Sequence, residues 1–172
     1  MTQQLIQTAN TIRENGKVDV VKLARKLNLS VRPINTISEL GTSAYIQKED
    51  GTFAIYVNGN QSKQRQRFSI AHEIAHYFLH KDQLEAKGIL HRSAVQQLSS
   101  TDEQQADILA AKILMPEEDI TQQLSNLGIT PDVRIKQSVI EKLCKRYDVS
   151  FYAMIVKLRE LGYNVPFISV YA

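Results

Sequence analysis

His72, Glu73 and His76 stand in the run HEIAH, two histidines four residues apart with a glutamate beside the first. On a helix, positions i and i+4 share a face with their Cβ atoms about 5–6 Å apart. Both imidazoles can therefore turn onto one tetrahedral metal ion. Glu73 lies about 100° round the helix from His72, which suits contact with a water on that metal better than ligation. Zinc lowers the pKa of such a water to about 7. A carboxylate there takes the proton as general base and returns it to the leaving amine. The expected chemistry is hydrolysis of a peptide bond, with His72 and His76 as metal ligands and Glu73 as the catalytic residue.

Three fixed positions recur by chance in unrelated chains, so the surroundings matter. Three of the four histidines, His72, His76 and His80, fall within nine residues, and Ile70, Ala71, Ile74 and Ala75 make the rest of the helix apolar. A catalytic zinc normally takes three protein ligands and a water. His80 follows His76 by four residues, but three successive turns cannot all converge closely on one ion. The alternative is a carboxylate from a second helix. Glu103 opens the strongly periodic stretch TDEQQADILAAKILMP, and Asp107 lies four residues on, along the same face. In this reading Glu103 binds the metal, and Asp107 accepts the outward N–H of a ligating histidine. The competing reading is a solvated acidic helix start capped by Asp102, since acids favour a helix N-terminus.

The elements that would hold these groups are mostly helical. Apolar spacing predicts a helix over 3–15 stopped by Gly16, and a short helix capped by Asp19. It predicts further helices over about 65–80, 102–115, 133–147 and 150–161, the last capped by Ser150. SVRPIN at 30–35 reads as extended. SAYIQK and TFAIYVN flank Glu49-Asp50-Gly51 and predict a hairpin, with Phe53, Ile55 and Val57 on a buried face. Residues 81–100, including His91, read as irregular and polar.

The segments RQRFSIAHEIAHYFLH at 65–80 and EQQADILAAKILMP at 103–116 resemble the ImmA/IrrE family of metallo-endopeptidases. GTFAIYVN resembles the family's strand before the catalytic helix, and EKLCKRYDVSFYAMIVKLRELG its C-terminal helices. The likeness covers about 43–162 well and the first 35 residues loosely. The family's zinc motif falls on His72, Glu73 and His76, and its third ligand on Glu103. Ala75 stands where the family usually has glycine, and Leu109 where an aromatic is frequent; neither change removes a ligand. The resemblance implies cleavage of a helix-turn-helix transcriptional repressor, relieving repression in mobile-element or stress-response control.

The expected fold is α+β. A mostly helical zincin-like domain over 1–132 would carry a small antiparallel sheet of about three strands next to the HExxH helix. A C-terminal helical pair over 133–172 would pack on it as one compact body. Zinc is the default cofactor, though a His₂–carboxylate set also accepts Mn²⁺ or Fe²⁺. Tyr77 and Tyr56 are candidate donors to an oxyanion. His80 either reaches the substrate from the rim or ends its helix, where imidazolium suits the dipole.

The chain has 172 residues, is 43% apolar and 23% charged, and carries a formal charge of +3. That is ordinary globular composition and makes no case for nucleic-acid binding by total charge. The stretch 134–160 does hold seven basic residues against three acidic ones. A helical pair with a solvated basic face is preferred there over a DNA-binding helix-turn-helix, so direct DNA binding is not expected. The lone Cys144 excludes an internal disulfide framework. No run approaches 18 apolar residues and the first residues lack an apolar signal core, which together predict a cytoplasmic protein without membrane contact. The alternative to an enzyme is a metal-containing regulatory module that sequesters a partner or contacts DNA. Glu73 would have no purpose in such a module.

Overall fold

Asp50-Gly51 is the hairpin signal that fixes the sheet. In the computed structural model Asp50 and Gly51 have φ of 46° and 80°, the left-handed pair that a two-residue type I′ turn requires. They join β4 (Ala44–Glu49) to β5 (Thr52–Asn58) in antiparallel register, with Ala44 opposite Val57 and Glu49 opposite Thr52. The structure describes residues 2–35, 42–87, 89–90 and 100–166. Among them no helix is long and apolar enough to cross a membrane.

β3 (Leu29–Ile34) pairs with β5 in parallel, and β6 (Ile89–Leu90) pairs with β4 at Ile46 and Gln47. The sheet order is β3-β5-β4-β6. It is a four-stranded mixed sheet, one strand larger than the antiparallel sheet expected. The extended character of 30–35 was legible; its parallel partner is a long-range pairing that local pattern does not encode. Phe53, Ile55 and Val57 are all buried, as alternation predicts.

The helices are α1 (Thr2–Thr11), α2 (Val20–Lys26), α3 (Lys63–Leu79), α4 (Lys81–Lys87), α5 (Ser100–Leu114), α6 (Glu117–Asn126), α7 (Gln137–Tyr147) and α8 (Phe151–Glu160). α1 stops four residues short of the expected end. Asn15 and Gly16 (φ 51° and 90°) instead turn a small hairpin between β1 (Arg13–Glu14) and β2 (Lys17–Val18). Asp19 caps α2 by accepting from the amides of Val21 and Lys22. Part of the segment read as irregular is helix α4; residue 88 and residues 91–99, with His91, lie outside the described residues. α6 has no counterpart in the sequence reading. α5 begins at Ser100, so Asp102 sits within its first turn rather than at a cap.

The chain divides into two compact units, Met1–Glu14 with Val18–Leu114, and Asn15–Lys17 with Met115–Ala172. In the first, α3 packs on the sheet and against α5. Both helices bury alanines completely, Ala71 and Ala75 on α3 and Ala106 and Ala110 on α5, which permits close approach of the axes. In the second, Asp119 of α6 accepts hydrogen bonds from Arg146 and from the buried Tyr147 hydroxyl at 2.9 Å, tying α6 to α7. Ser150 caps α8 by accepting from the Ala153 amide.

Candidate metal centre

Two helix starts and one helix end align this site. The Ser62 hydroxyl accepts from the Arg65 amide and begins α3. The helix then runs unbroken for 17 residues, carrying His72 and His76 on one buried face. α5 is held from below by Arg13, whose guanidinium donates to the carbonyls of Ile113 and Leu114 at 2.7 and 3.3 Å. Those are carbonyls that a helix C-terminus leaves without an internal partner, and a cation suits the negative end of the dipole. Glu103 lies in the first turn of α5 and Asp107 one turn further on, at the middle of the helix.

There, His72 Nε2 lies 2.9 Å from His76 Nε2. Glu103 brings one carboxylate oxygen to 3.1 Å from His76 Nε2 and the other to 3.4 Å from His72 Nε2. All three ligand atoms lie within 4.8 Å of one another, and the group can hold a metal ion. Ligand atoms about 2.0–2.1 Å from a tetrahedral zinc would stand roughly 3.3 Å apart, close to the separations here. The remaining ring nitrogen, His72 Nδ1, donates to Asp107 Oδ1 at 2.8 Å. That bond makes Nε2 of a neutral His72 a lone-pair atom, and it faces a carboxylate and a second imidazole. Such a convergence of lone pairs suits a cation.

The titration behaviour expresses the same demand. Burial opposes a charged His72, but the hydrogen bonds that its ring donates to Asp107 and Glu103 and the charges of Glu73 and Asp107 outweigh it, and its pKa is pushed up to about 9. The two histidines in turn hold the Glu103 carboxyl well below the usual carboxylate range.

Glu73 is buried, 6% exposed, and lies beside His72 on the wall of an open cleft of about 160 Å³. Thr42 and Ser43, just before β4, line it together with Ala44 and Asp107. Arg65, Phe68 and Ser69 complete the lining. With His72 and Glu73 they follow the spacing i, i+3, i+4, i+7 and i+8 on α3. That spacing, one face of a helix, is written in the sequence itself.

Tyr56 and Tyr77 do not line the cleft. The Tyr56 hydroxyl donates to Glu49 and accepts from Arg32 at 2.9 Å, and its ring stacks on Tyr45. Tyr77 packs edge-on against Phe53, with Lys81 over its ring. His80 caps the C-terminus of α3 through its backbone amide to the His76 carbonyl. Its side chain is buried, and burial lowers its pKa despite the nearby Asp102.

The family model for the IrrE N-terminal-like domain, Peptidase_M78, matches residues 24–159. The radiation response metalloprotease IrrE of Deinococcus radiodurans is 31% identical over 128 residues, covering 72% of this chain and 36% of that protein. A solved structure of a Mycobacterium tuberculosis transcriptional regulator shares the fold with a TM-score of 0.58 at 15% identity, over 91% of this chain and 45% of its own. The chain thus spans less than half the length of either relative. With the family model covering residues 24–159, HEIAH and the start of α5 included, the chain belongs to the IrrE N-terminal-like domain family of peptidases.

Proposed function

We propose that this chain is a metal-dependent endopeptidase in which His72, His76 and Glu103 bind zinc and Glu73 is the general base and acid. Bound there, the metal would supply a Lewis acid that polarises the scissile carbonyl and acidifies a water. Glu73 accepts the proton of the attacking water and hands it to the leaving amine. Asp107 keeps His72 in the tautomer that offers Nε2. The carrying observation is the convergence of three ligand atoms from two helices beside a buried Glu73 on an open cleft. A structural zinc site is normally closed by four protein ligands, whereas the group among the described residues numbers three. Mn²⁺ and Fe²⁺ suit the same donor set.

The substrate would lie on β4. β5 is an interior strand, flanked by β3 and β4, and has no free edge. Among the described residues β4 pairs with β6 only at Ile46 and Gln47. The Asn58 amide donates to the Ser43 carbonyl, so Ser43 and Asn58 are a hydrogen-bonded pair. The backbone of Ala44, one residue on, therefore faces away from β5. An extended peptide added there runs past Glu73.

By family resemblance the substrate is a helix-turn-helix transcriptional repressor in the cytoplasm, and cleavage relieves repression. The Deinococcus relative, a radiation response metalloprotease, supports a stress-response setting. Co-expression with the repressor encoded beside this chain tests the reading. Full-length repressor should disappear with wild type and persist with Glu73→Gln. Equal survival in both would favour a module that acts by binding alone.

A further inference from the structure

Among the described residues Arg65 is the only lysine or arginine lining the cleft, which it shares with His72, Glu73 and Asp107. Four other arginines have firm partners. Arg13 holds the end of α5, Arg32 pairs with Glu49, Arg67 donates to the Val18 carbonyl at 2.8 Å, and Arg146 pairs with Asp119. Arg65 makes one long bond, Nη2 to the Ser43 hydroxyl at 3.3 Å. That hydroxyl also accepts from Gln61 at 3.0 Å, so the start of β4 is held without Arg65. The Arg65 side chain is exposed and has no carboxylate partner among the described residues. A guanidinium offers five donors in a fork that fits a carboxylate.

We propose that Arg65 makes this cleft select a substrate segment bearing a carboxylate three to four residues from the scissile bond. The spacing follows from the helix. Arg65 precedes Glu73 by eight residues, about 12 Å along α3 at 1.5 Å per residue. An extended chain covers that distance in three to four residues at about 3.3 Å each. The inference rests on the endopeptidase reading and adds the class of peptide that the site accepts. The carboxylate is that of an aspartate or glutamate side chain, or of the chain terminus.

The test is cleavage of a randomised decapeptide library by the zinc-loaded full chain, in C-terminally amidated and free-acid forms. Wild type should favour peptides with Asp or Glu three to four residues from the cut. Enrichment in the amidated library assigns a side-chain carboxylate; enrichment confined to the free-acid library at the last residue assigns the terminus. Arg65→Ala should lower kcat/KM for the favoured peptides about 10- to 100-fold and leave neutral peptides unchanged. Arg65→Glu should turn the preference toward Lys and Arg, and Arg65→Lys should keep part of the acidic one. A purely structural Arg65 would depress all peptides equally. Cleavage by wild type without acidic preference, or a preference untouched by Arg65→Ala and Arg65→Glu, overturns the inference and leaves the peptidase standing. Cleavage of no peptide by wild type, while the co-expressed repressor is cleaved, overturns it for short segments. Cleavage of neither removes the peptidase reading and the inference with it.

Discussion

The Nδ1–H of His72 points at Asp107 Oδ1 across 2.8 Å, and it is this bond that turns Nε2 of His72 toward His76 and Glu103. Asp107 is itself half exposed, so its removal should disturb folding little. Asp107→Ala should weaken metal binding about 10- to 100-fold, read by competition with a chromophoric chelator. Unchanged affinity would mean that the histidine needs no orienting partner.

Glu73 sits next to His72, a proposed ligand, but is assigned no ligation. Glu73→Gln should therefore retain metal at wild-type stoichiometry while single-turnover cleavage falls about 100-fold or more. Loss of metal from this variant would make Glu73 a ligand instead. Cleavage at the wild-type rate would remove it from the chemistry.

Much of this was readable in the chain because it is local. His72, Glu73 and His76 lie within five residues, and Glu103 and Asp107 are one helical turn apart. Asp50-Gly51 and Asp19 act over two or three residues. What escaped was either non-local or masked by a stronger local pattern. The parallel pairing of β3 with β5 joins residues 24 positions apart, Leu29 with Phe53. Asn15-Gly16 carried the same turn chemistry as Asp50-Gly51, yet the apolar spacing before it suggested a continuing helix. α6 begins with three acids and buries only Ile120 and Leu124, too few apolar positions for periodicity to stand out. The union of Thr42 and Ser43 with the face of α3 forms only when the sheet docks on that helix.

Substrate docking on β4 makes a backbone prediction. Ala44→Pro removes an outward N–H without breaking the ladder to β5, since proline is tolerated where the amide faces an open edge. Thermal stability should change little, while cleavage of the repressor should fall by at least tenfold. Full activity with an intact fold would exclude β4 as the docking strand.

Asp119 provides a pH signature in the helical unit. Burial works against its carboxylate, but the Tyr147 hydroxyl and the Arg146 guanidinium overcome that and lower its pKa below the ordinary 3.8. A depressed folded-state pKa gives stability that is present above 3.8 and is lost as pH falls through the lower folded value. Asp119→Asn should cost about 2 kcal/mol at neutral pH, since the buried Tyr147 hydroxyl loses a charged acceptor. It should also flatten the decline of Tm below about pH 4. Parallel acid-unfolding curves for both proteins would contradict this role.

The site itself is tested most directly by anomalous diffraction at the zinc absorption edge from crystals of the zinc-loaded chain. One peak should lie about 2.0–2.2 Å from His72 Nε2, His76 Nε2 and a carboxylate oxygen of Glu103, with Glu73 outside bonding distance. A fully occupied zinc held elsewhere, or held by His72 and His76 with Glu103 turned away, would contradict the account.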